Sequence, residues 1–290
     1  KAPTTNTEAY EYYLKAKYKY FKRENKEDTE IFKGLLKKAI ELDDNLIVAK
    51  NLLGQYYTDM HNYKKANEIY QNNLLQAEEL DDKSELAYAL LSITYVARDE
   101  LIDSLKLEYN QRALIIYRGL NDREGIAKAL HSLGRYYSVK KEYETSLDYY
   151  NRTLTIRQEL RDKRGIGWIY NNIGIVYGEM GNIHKKLDYW ERQLSIFQEI
   201  EYQYGIAWTF WNTGFTYVWH FYDYEKGLDY INKSVAIGLE LGSTTSGAGS
   251  GKMSGVYLAM GDYDTAWQYS NEGLQYFEEQ ELDGGVAWML

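Results

Sequence analysis

The sequence predicts an all-α fold, a solenoid of antiparallel helix pairs. The first observation behind this prediction is a period of forty residues, marked by Gly134, Gly174 and Gly214, with Gly54 eighty residues before the first of them. The second is a tyrosine that recurs in the same register, three residues later, at Tyr57, Tyr137, Tyr177, Tyr217 and Tyr257. A period of this length is typical of one supersecondary unit copied along a stack.

Apolar spacing predicts two amphipathic helices in each repeat. In the fourth repeat, Ile126, Leu130 and Leu133 recur at helical spacing and predict a first helix, here called helix A, over about residues 123–139. The apolar stripe that follows predicts a second helix, helix B, over about residues 143–160. The single proline of the chain suits uninterrupted helices, because proline breaks a helix interior.

Aspartates in register mark the predicted starts of successive A helices. Asp82, Asp122 and Asp162 precede three of them, and an aspartate carboxylate accepts hydrogen bonds from the unpaired N–H groups of a first turn. Asp82 with Glu85 three residues later resembles a capping box. At the other end of helix A, Gly181 and Gly261 are predicted to adopt positive φ and to turn the chain into helix B.

These signals divide the chain into seven repeats and the start of an eighth within one continuous domain. The predicted repeats cover about residues 7–43, 44–81, 82–121, 122–161, 162–201, 202–241 and 242–281, and residues 282–290 begin a further, truncated repeat. Two repeats depart from the pattern. The third has Thr94 for the glycine and Ala97 for the tyrosine, and the sixth has one extra residue before Tyr224.

Composition excludes several classes of function. The net charge of -9 argues against nucleic acid as the main partner, because phosphate binding needs a basic face. The chain has no cysteine, so it has no disulfide, thiolate nucleophile or cysteine-bound zinc, which fits a cytoplasmic location. No stretch approaches the roughly 18 apolar residues of a membrane helix, so no membrane insertion is expected.

Four positions recur as a set across the repeats. The second repeat shows them as Leu53-Gly54, Tyr57, Ala66 and Tyr70, and the fourth as Leu133-Gly134, Tyr137, Ser146 and Tyr150. These residues resemble the tetratricopeptide repeat, whose usual unit is 34 residues long. The resemblance implies a right-handed superhelix whose A helices line a concave groove, and a non-catalytic scaffold that binds peptides or proteins in that groove.

The opening segment is similar to another group of proteins. Residues 3–15 resemble segments that lead into repeat domains of bacterial multidomain signalling proteins, which often carry a cyclase, kinase or DNA-binding domain. This resemblance implies an alternative function, a sensory or regulatory repeat region of a larger signalling protein. A transcription regulator is one such protein.

No catalytic, metal or cofactor site is predicted. Residues 246–253 resemble a phosphate-binding loop, but Ser246 and Met253 stand where that motif needs glycine and a magnesium-binding hydroxyl, and the repeat register puts the segment in a helix. The four histidines are scattered and none is paired at helical spacing, so they do not predict a metal site.

The A-helix positions that are not used for packing form the candidate peptide-binding groove. The polar and basic candidates are Asn51, Gln55, Tyr95, Arg98, Lys128, His131 and Arg135. The aromatic part and its amides are Trp168, Asn171, Asn172, Trp208, Trp211, Asn212, Phe215 and Trp219. Arginine and lysine pair with carboxylates and tryptophan supplies binding hot spots, so the expected ligand is an acidic peptide with a hydrophobic anchor.

Alternatives remain open for both parts of this groove. The tryptophans could equally be packed between helices, because the run from Trp208 to Trp211 is apolar almost all round. The basic cluster could be ordinary surface charge paired with nearby carboxylates. Val286, Trp288 and Leu290 in the truncated last repeat predict a second kind of contact, self-association through an unprotected repeat end.

Overall fold

The computed structural model describes residues 4–22, 26–97, 102–240 and 246–279. Within these residues the fold is all-α, as predicted, and consists of fourteen α-helices and one π-helical segment. The helices are α1 (Thr7–Lys22), α2 (Lys26–Leu42), α3 (Ile47–Asp59), α4 (Tyr63–Glu79), α5 (Lys83–Val96), α6 (Asp103–Gly119), α7 (Arg123–Val139), α8 (Tyr143–Glu159), α9 (Lys163–Glu179), α10 (Ile183–Glu199), α11 (Gln203–Thr216), α12 (Tyr224–Glu240), α13 (Ser246–Met260) and α14 (Tyr263–Glu279).

Each odd-numbered helix packs against the next even-numbered one, so every repeat is one helix A and one helix B. The helix bounds predicted for the fourth repeat are confirmed by α7 and α8 to within one residue. The helices fall into two compact units, which we call the N-terminal body (Lys1–Leu160, α1 to α8) and the C-terminal body (Arg161–Leu290, α9 to α14).

The predicted helix caps and turns are confirmed. The side chains of Asp82, Asp122 and Asp162 accept hydrogen bonds of 3.1, 3.0 and 2.8 Å from the backbone N–H three residues later. Gly181 and Gly261 have a φ of +80° between their A and B helices. Glycine carries no Cβ and adopts this φ without steric cost, so it ends helix A cleanly at both places.

Glycine-to-aromatic contacts hold helix A against helix B. The contacting pairs are Gly54 with Tyr70, Gly134 with Tyr150 and Gly174 with Trp190. A Cβ added to these glycines would lie 2.6, 2.7 and 2.8 Å from the facing ring. The three rings are buried, so the two helices can approach this closely only because the A-helix residue has no side chain.

The third repeat replaces this contact with a polar one. Thr94 stands in the glycine register and Asn110 in the aromatic register, and the Thr94 hydroxyl donates a 3.3 Å hydrogen bond to Asn110 Oδ1. Both side chains are buried. Helix α5 ends at Val96, directly before Ala97, whereas α7 and α9 continue through the tyrosine register.

The sixth repeat absorbs its extra residue in a π-helical turn. Helix α11 passes into a π-helix at Tyr217–Phe221, and Tyr222 follows in the left-handed region with φ +56°. The Asp223 N–H donates to the Tyr217 carbonyl six residues before it. In the fifth repeat the matching bond spans five residues, from Asn182 N–H to Tyr177 O. The extra residue therefore widens the turn and leaves α12 free to pair with α11.

Candidate functional site

In the N-terminal body, the predicted basic part of the A-helix face contains a stacked cation. The Arg135 guanidinium lies 4.5 Å from the centre of the Tyr95 ring, and its Nη2 donates a long 3.5 Å hydrogen bond to the Thr94 carbonyl. The Tyr95 side chain is 41% exposed. A guanidinium held flat on a ring keeps its outer N–H donors directed away from that ring, which suits binding of a carboxylate.

A second group of site residues forms a buried polar contact between repeats. Asn51 is 4% exposed, and its amide donates to the Glu85 carboxylate at 2.5 Å while its oxygen accepts from Asn73 at 2.8 Å. Burial raises the pKa of Glu85 to about 7. Gln55 is half-buried and accepts a 3.4 Å hydrogen bond from the Tyr88 hydroxyl. Asn51 therefore serves packing between repeats more than it faces a ligand.

Lys128 and His131 lie on helix α7 with different surroundings. Lys128 is exposed and pairs with Glu124 one turn before it, at 2.7 Å. His131 is half-buried next to Tyr150, with ring centres 5.8 Å apart. Burial, then the charge of Arg135, lowers the pKa of His131 to about 4, so the imidazole is neutral at pH 7. Of the two, only Lys128 presents a charge at neutral pH.

A cavity of about 370 Å³ lies beside Arg135, where the third repeat lacks its glycine-to-aromatic contact. Helices α5 and α6 contribute Thr94, Asp103, Lys106 and Asn110, and the end of α7 contributes Ser132, Arg135, Tyr136, Val139 and Lys140. Lys106 lies 3.6 Å from Asp103, and Lys140 forms a hydrogen bond to the same carboxylate, which lowers the pKa of Asp103. Three basic side chains and one acidic side chain line this space.

The C-terminal body carries an exposed group of aromatic rings, which we call the aromatic patch: Trp168, Tyr202, Tyr204 and Trp208. The Trp168 ring centre lies 6.3 Å from that of Trp208, 6.4 Å from Tyr202 and 6.5 Å from Tyr204. Tyr204 is 51% and Trp208 is 41% exposed. The Arg164 guanidinium lies 4.3 Å from the centre of the Tyr202 ring and donates to the Tyr202 hydroxyl at 2.8 Å.

Trp211 and Phe215 are half-buried, in contrast to Trp208. Their rings lie 4.9 Å apart and pack against a core cluster that includes Val218, Ile231 and Met253. The Lys252 ammonium lies 6.0 Å from the centre of the Trp211 ring and 5.8 Å from that of Phe215. These two rings therefore have one face in the core.

The remaining candidates are divided between exposed and structural positions. Trp219 is 49% exposed and lies in the π-helical turn. Asn171 is buried, and its backbone carbonyl accepts a 3.3 Å hydrogen bond from Trp190 Nε1. The half-buried Asn212 donates to the Trp208 carbonyl at 2.8 Å, and Asn172 is half-buried.

Two predictions lie outside the described residues: Arg98 as a groove residue, and the truncated repeat at 282–290 with its proposed self-association. Sequence reasoning missed Asn110, Tyr202 and Tyr204. Aligning the B helices would have exposed Asn110, because its register holds an aromatic residue at Tyr70 and at Tyr150. The two tyrosines precede or begin a helix, where face periodicity is not yet established.

Residues 126–161 match the family model of the tetratricopeptide repeat. The predicted resemblance is confirmed, because this match covers the helix pair of the fourth repeat, α7 and α8. The chain is thus a tetratricopeptide-like array of helix pairs. A search of curated proteins finds no significant match.

Solved structures share this tetratricopeptide-like fold over nearly the whole chain. A Rap protein complexed with competence and sporulation factor is 15% identical with a TM-score of 0.72, and the match covers 99% of this chain and 85% of that one. The Rap conjugation gene regulator of plasmid pLS20, in complex with a Phr peptide, is 15% identical with a TM-score of 0.68 and coverage of 96% and 76%. At this identity the likeness shows the fold alone.

A third similar structure is a signal transduction ATPase with a tetratricopeptide repeat sensor, from Pyrococcus horikoshii. It is 17% identical with a TM-score of 0.59, and the match covers 97% of this chain but 44% of that one. This chain therefore matches less than half of that protein. In the described part of the chain, no helix combines the length and apolar content needed to cross a bilayer.

Proposed function

We propose that this chain is a non-catalytic scaffold that binds a peptide or protein segment on the A-helix face of its repeats. The observation that carries the proposal is the aromatic patch, in which Trp168, Tyr204 and Trp208 form a partly exposed surface of adjoining rings. Exposed, contiguous aromatic surface is typical of protein-binding sites, and tryptophan and tyrosine are enriched among the residues that dominate binding energy.

Charge next to the rings favours an acidic ligand with a hydrophobic anchor. Arg164 lies against Tyr202 at the edge of the aromatic patch, and in the N-terminal body Arg135 lies against Tyr95. Each arginine is positioned by a ring and keeps donors for a carboxylate. The ligand's apolar side chain would pack on Trp168 and Trp208, while its acidic residues would pair with these arginines.

The similar structures support a peptide as the ligand. Two Rap proteins with this fold were solved in complex with peptides or signalling factors. A stack of helix pairs presents its A-helix side chains on rigid elements, so a peptide bears most of the ordering cost on binding. In this proposal the scaffold supplies shape and anchors, and no residue acts as a catalyst.

The test compares two exposed tryptophans that differ in their place in the repeat. Acidic peptides selected from a display library against the wild-type chain are titrated by fluorescence anisotropy against Trp208→Ala and Trp267→Ala. Trp208 lies on helix A and Trp267, 71% exposed, lies on helix B of the last described pair. Trp208→Ala is expected to weaken binding by about tenfold or more, as for a hot-spot residue, and Trp267→Ala to leave it unchanged.

Three results would contradict the proposal. The first is equal affinity of both variants and the wild type for the selected peptides. The second is the absence of any selected peptide that binds wild type but not a Trp168→Ala/Trp208→Ala double variant. The third is binding that does not weaken with salt, because pairing between exposed arginines and carboxylates is screened at higher ionic strength.

A further inference from the structure

The cavity in the third repeat lies where another repeat of the same chain holds an aromatic ring beneath a lysine. In the fifth repeat the Trp190 ring packs on Gly174, and the Lys186 ammonium lies 4.5 Å from the ring centre. Eighty residues earlier, the corresponding positions are Asn110, Thr94 and Lys106. The lysine is retained in the third repeat and the ring is missing.

The missing ring leaves space that the polar pair does not fill. Thr94 and Asn110 hydrogen-bond to each other and are buried at 6% and 2% exposure, yet the cavity beside them measures about 370 Å³. This volume is within the range of small-molecule sites, which run from about 300 to 1,000 Å³. The Thr94 side chain occupies the place where a ring touches Gly174, so a bound ring would lie further out than Trp190 does.

The charges around the cavity favour an anion. Lys106, Lys140 and Arg135 contribute three positive charges to the lining, and Asp103 contributes one negative charge that both lysines share. The Lys106 side chain is 19% exposed, so its ammonium is partly withdrawn from water. A positive charge with reduced hydration attracts both a ring face and an anionic group more strongly than an exposed one.

We propose that the third-repeat cavity binds a small aromatic anion, a planar ring that carries a carboxylate. The ring would lie beneath Lys106, as Trp190 lies beneath Lys186, and the carboxylate would pair with Arg135 and Lys140. Asn110 and Ser132 offer hydrogen bonds to a polar substituent on the ring. This site does not depend on peptide binding to the aromatic patch, because it lies within the N-terminal body and needs no aromatic patch residue.

The experiment uses ring acids as probes and a variant that restores the regular contact. Benzoate, 4-hydroxyphenylacetate and indole-3-acetate, each with its neutral amide analogue, are titrated at millimolar concentration by calorimetry. The double variant Thr94→Gly/Asn110→Tyr rebuilds the glycine and tyrosine pair of the second and fourth repeats and fills the cavity. The control is Tyr177→Ala, which removes a ring from the fifth repeat without placing basic side chains around the space.

The expected result has three parts. Wild type binds at least one acid about tenfold more tightly than its amide, the double variant loses this binding, and Tyr177→Ala changes neither value. Lys106→Gln is expected to reduce the affinity for the acid and to leave the affinity for the amide unchanged. A blocked dipeptide of tryptophan and glutamate that binds more tightly than the free acids would support the same site with a peptide side chain as its source.

The proposal is overturned by either of two outcomes. One is the absence of binding by wild type to all three acids and to the dipeptide. The other is binding that survives in Thr94→Gly/Asn110→Tyr while circular dichroism shows that the variant is folded. Failure here leaves peptide binding by the aromatic patch untouched, since that is measured with Trp208→Ala.

Discussion

The Asn51 amide of the second repeat donates a 2.5 Å hydrogen bond to the Glu85 carboxylate of the third. Glu85 stands in a register that holds Gly125 one repeat later, where a Cβ would lie 2.1 Å from the Tyr117 ring. In Tyr117's own register the second repeat has Ala77. A carboxylate and an amide thus meet where the next pair of repeats packs a ring on a glycine.

Glu85→Gln is expected to remove a pH dependence of stability. Burial raises the pKa of Glu85 from 4.5 to about 7, so between these values the folded state holds a proton that the unfolded state has released. Wild-type stability therefore falls as pH rises through this window, by at most about 1.4 kcal/mol per pH unit and less after screening by solvent. Urea unfolding of both proteins across the window measures the slope, and identical slopes would refute the assignment.

His131→Gln is expected to change stability in the opposite direction. Burial and Arg135 lower the pKa of His131 from 6.5 to about 4, so in this range the unfolded state binds the extra proton. Its contribution to stability is lost as pH falls from 6.5 to 4. The variant should lose less stability than wild type on acidification. The two groups oppose each other in wild type, so Glu85→Gln should reveal the histidine slope, and a flat Glu85→Gln profile would contradict this.

The exposed and half-buried tryptophans of the sixth repeat should separate in stability. Trp211 packs against Val218, Ile231 and Met253, and Trp211→Ala is expected to cost about 2 kcal/mol because it leaves a void beside that cluster. Trp219 is 49% exposed, and Trp219→Ala should cost less than about 1 kcal/mol. Thermal unfolding of the two variants tests this, and equal losses would place both rings in the same environment.

Helix periodicity could not make this distinction. Trp208, Trp211 and Trp219 share one side of the predicted helix, so sequence spacing assigns them the same face. Their exposure depends on which neighbours cover them, and the rings around Trp168 and the cluster at Met253 come from other helices. In contrast, the bounds of α7 and α8 and the caps at Asp122 and Asp162 depend on local chemistry and were predicted from sequence.

The same limit applied to the third repeat. Thr94 and Ala97 are visible as departures from the repeat pattern, but their effect requires Asn110, which faces Thr94 from the next helix. The Asn51 contact to Glu85 was hidden for a similar reason. The sequence places Glu85 three residues after an N-cap, where its carboxylate is expected to return to the cap, whereas packing between repeats directs it to Asn51.

Alanine at two helical glycines should have effects of opposite sign. A Cβ at Gly134 would lie 2.7 Å from the buried Tyr150 ring, so Gly134→Ala is expected to destabilise the fold by about 1–3 kcal/mol through overpacking. Nothing lies within 4 Å of a Cβ at Gly34 in α2, so Gly34→Ala should stabilise by about 0.5–1 kcal/mol. Denaturant midpoints measure both, and a shared sign would show that backbone entropy, not the ring contact, governs Gly134.

The widened turn at Tyr217–Phe221 lets a repeat protein accept an insertion of one residue without losing its phase. One residue rotates an α-helix by about 100°, so an uncorrected insertion would turn the whole apolar stripe of α12 away from α11. Instead Ile231 packs against Gly214, one position after the residue that a strict forty-residue count selects, and the count resumes at Tyr257 and Gly261. Grafts or designed repeats that follow this sixth unit should therefore number its second helix from the turn and not from the period.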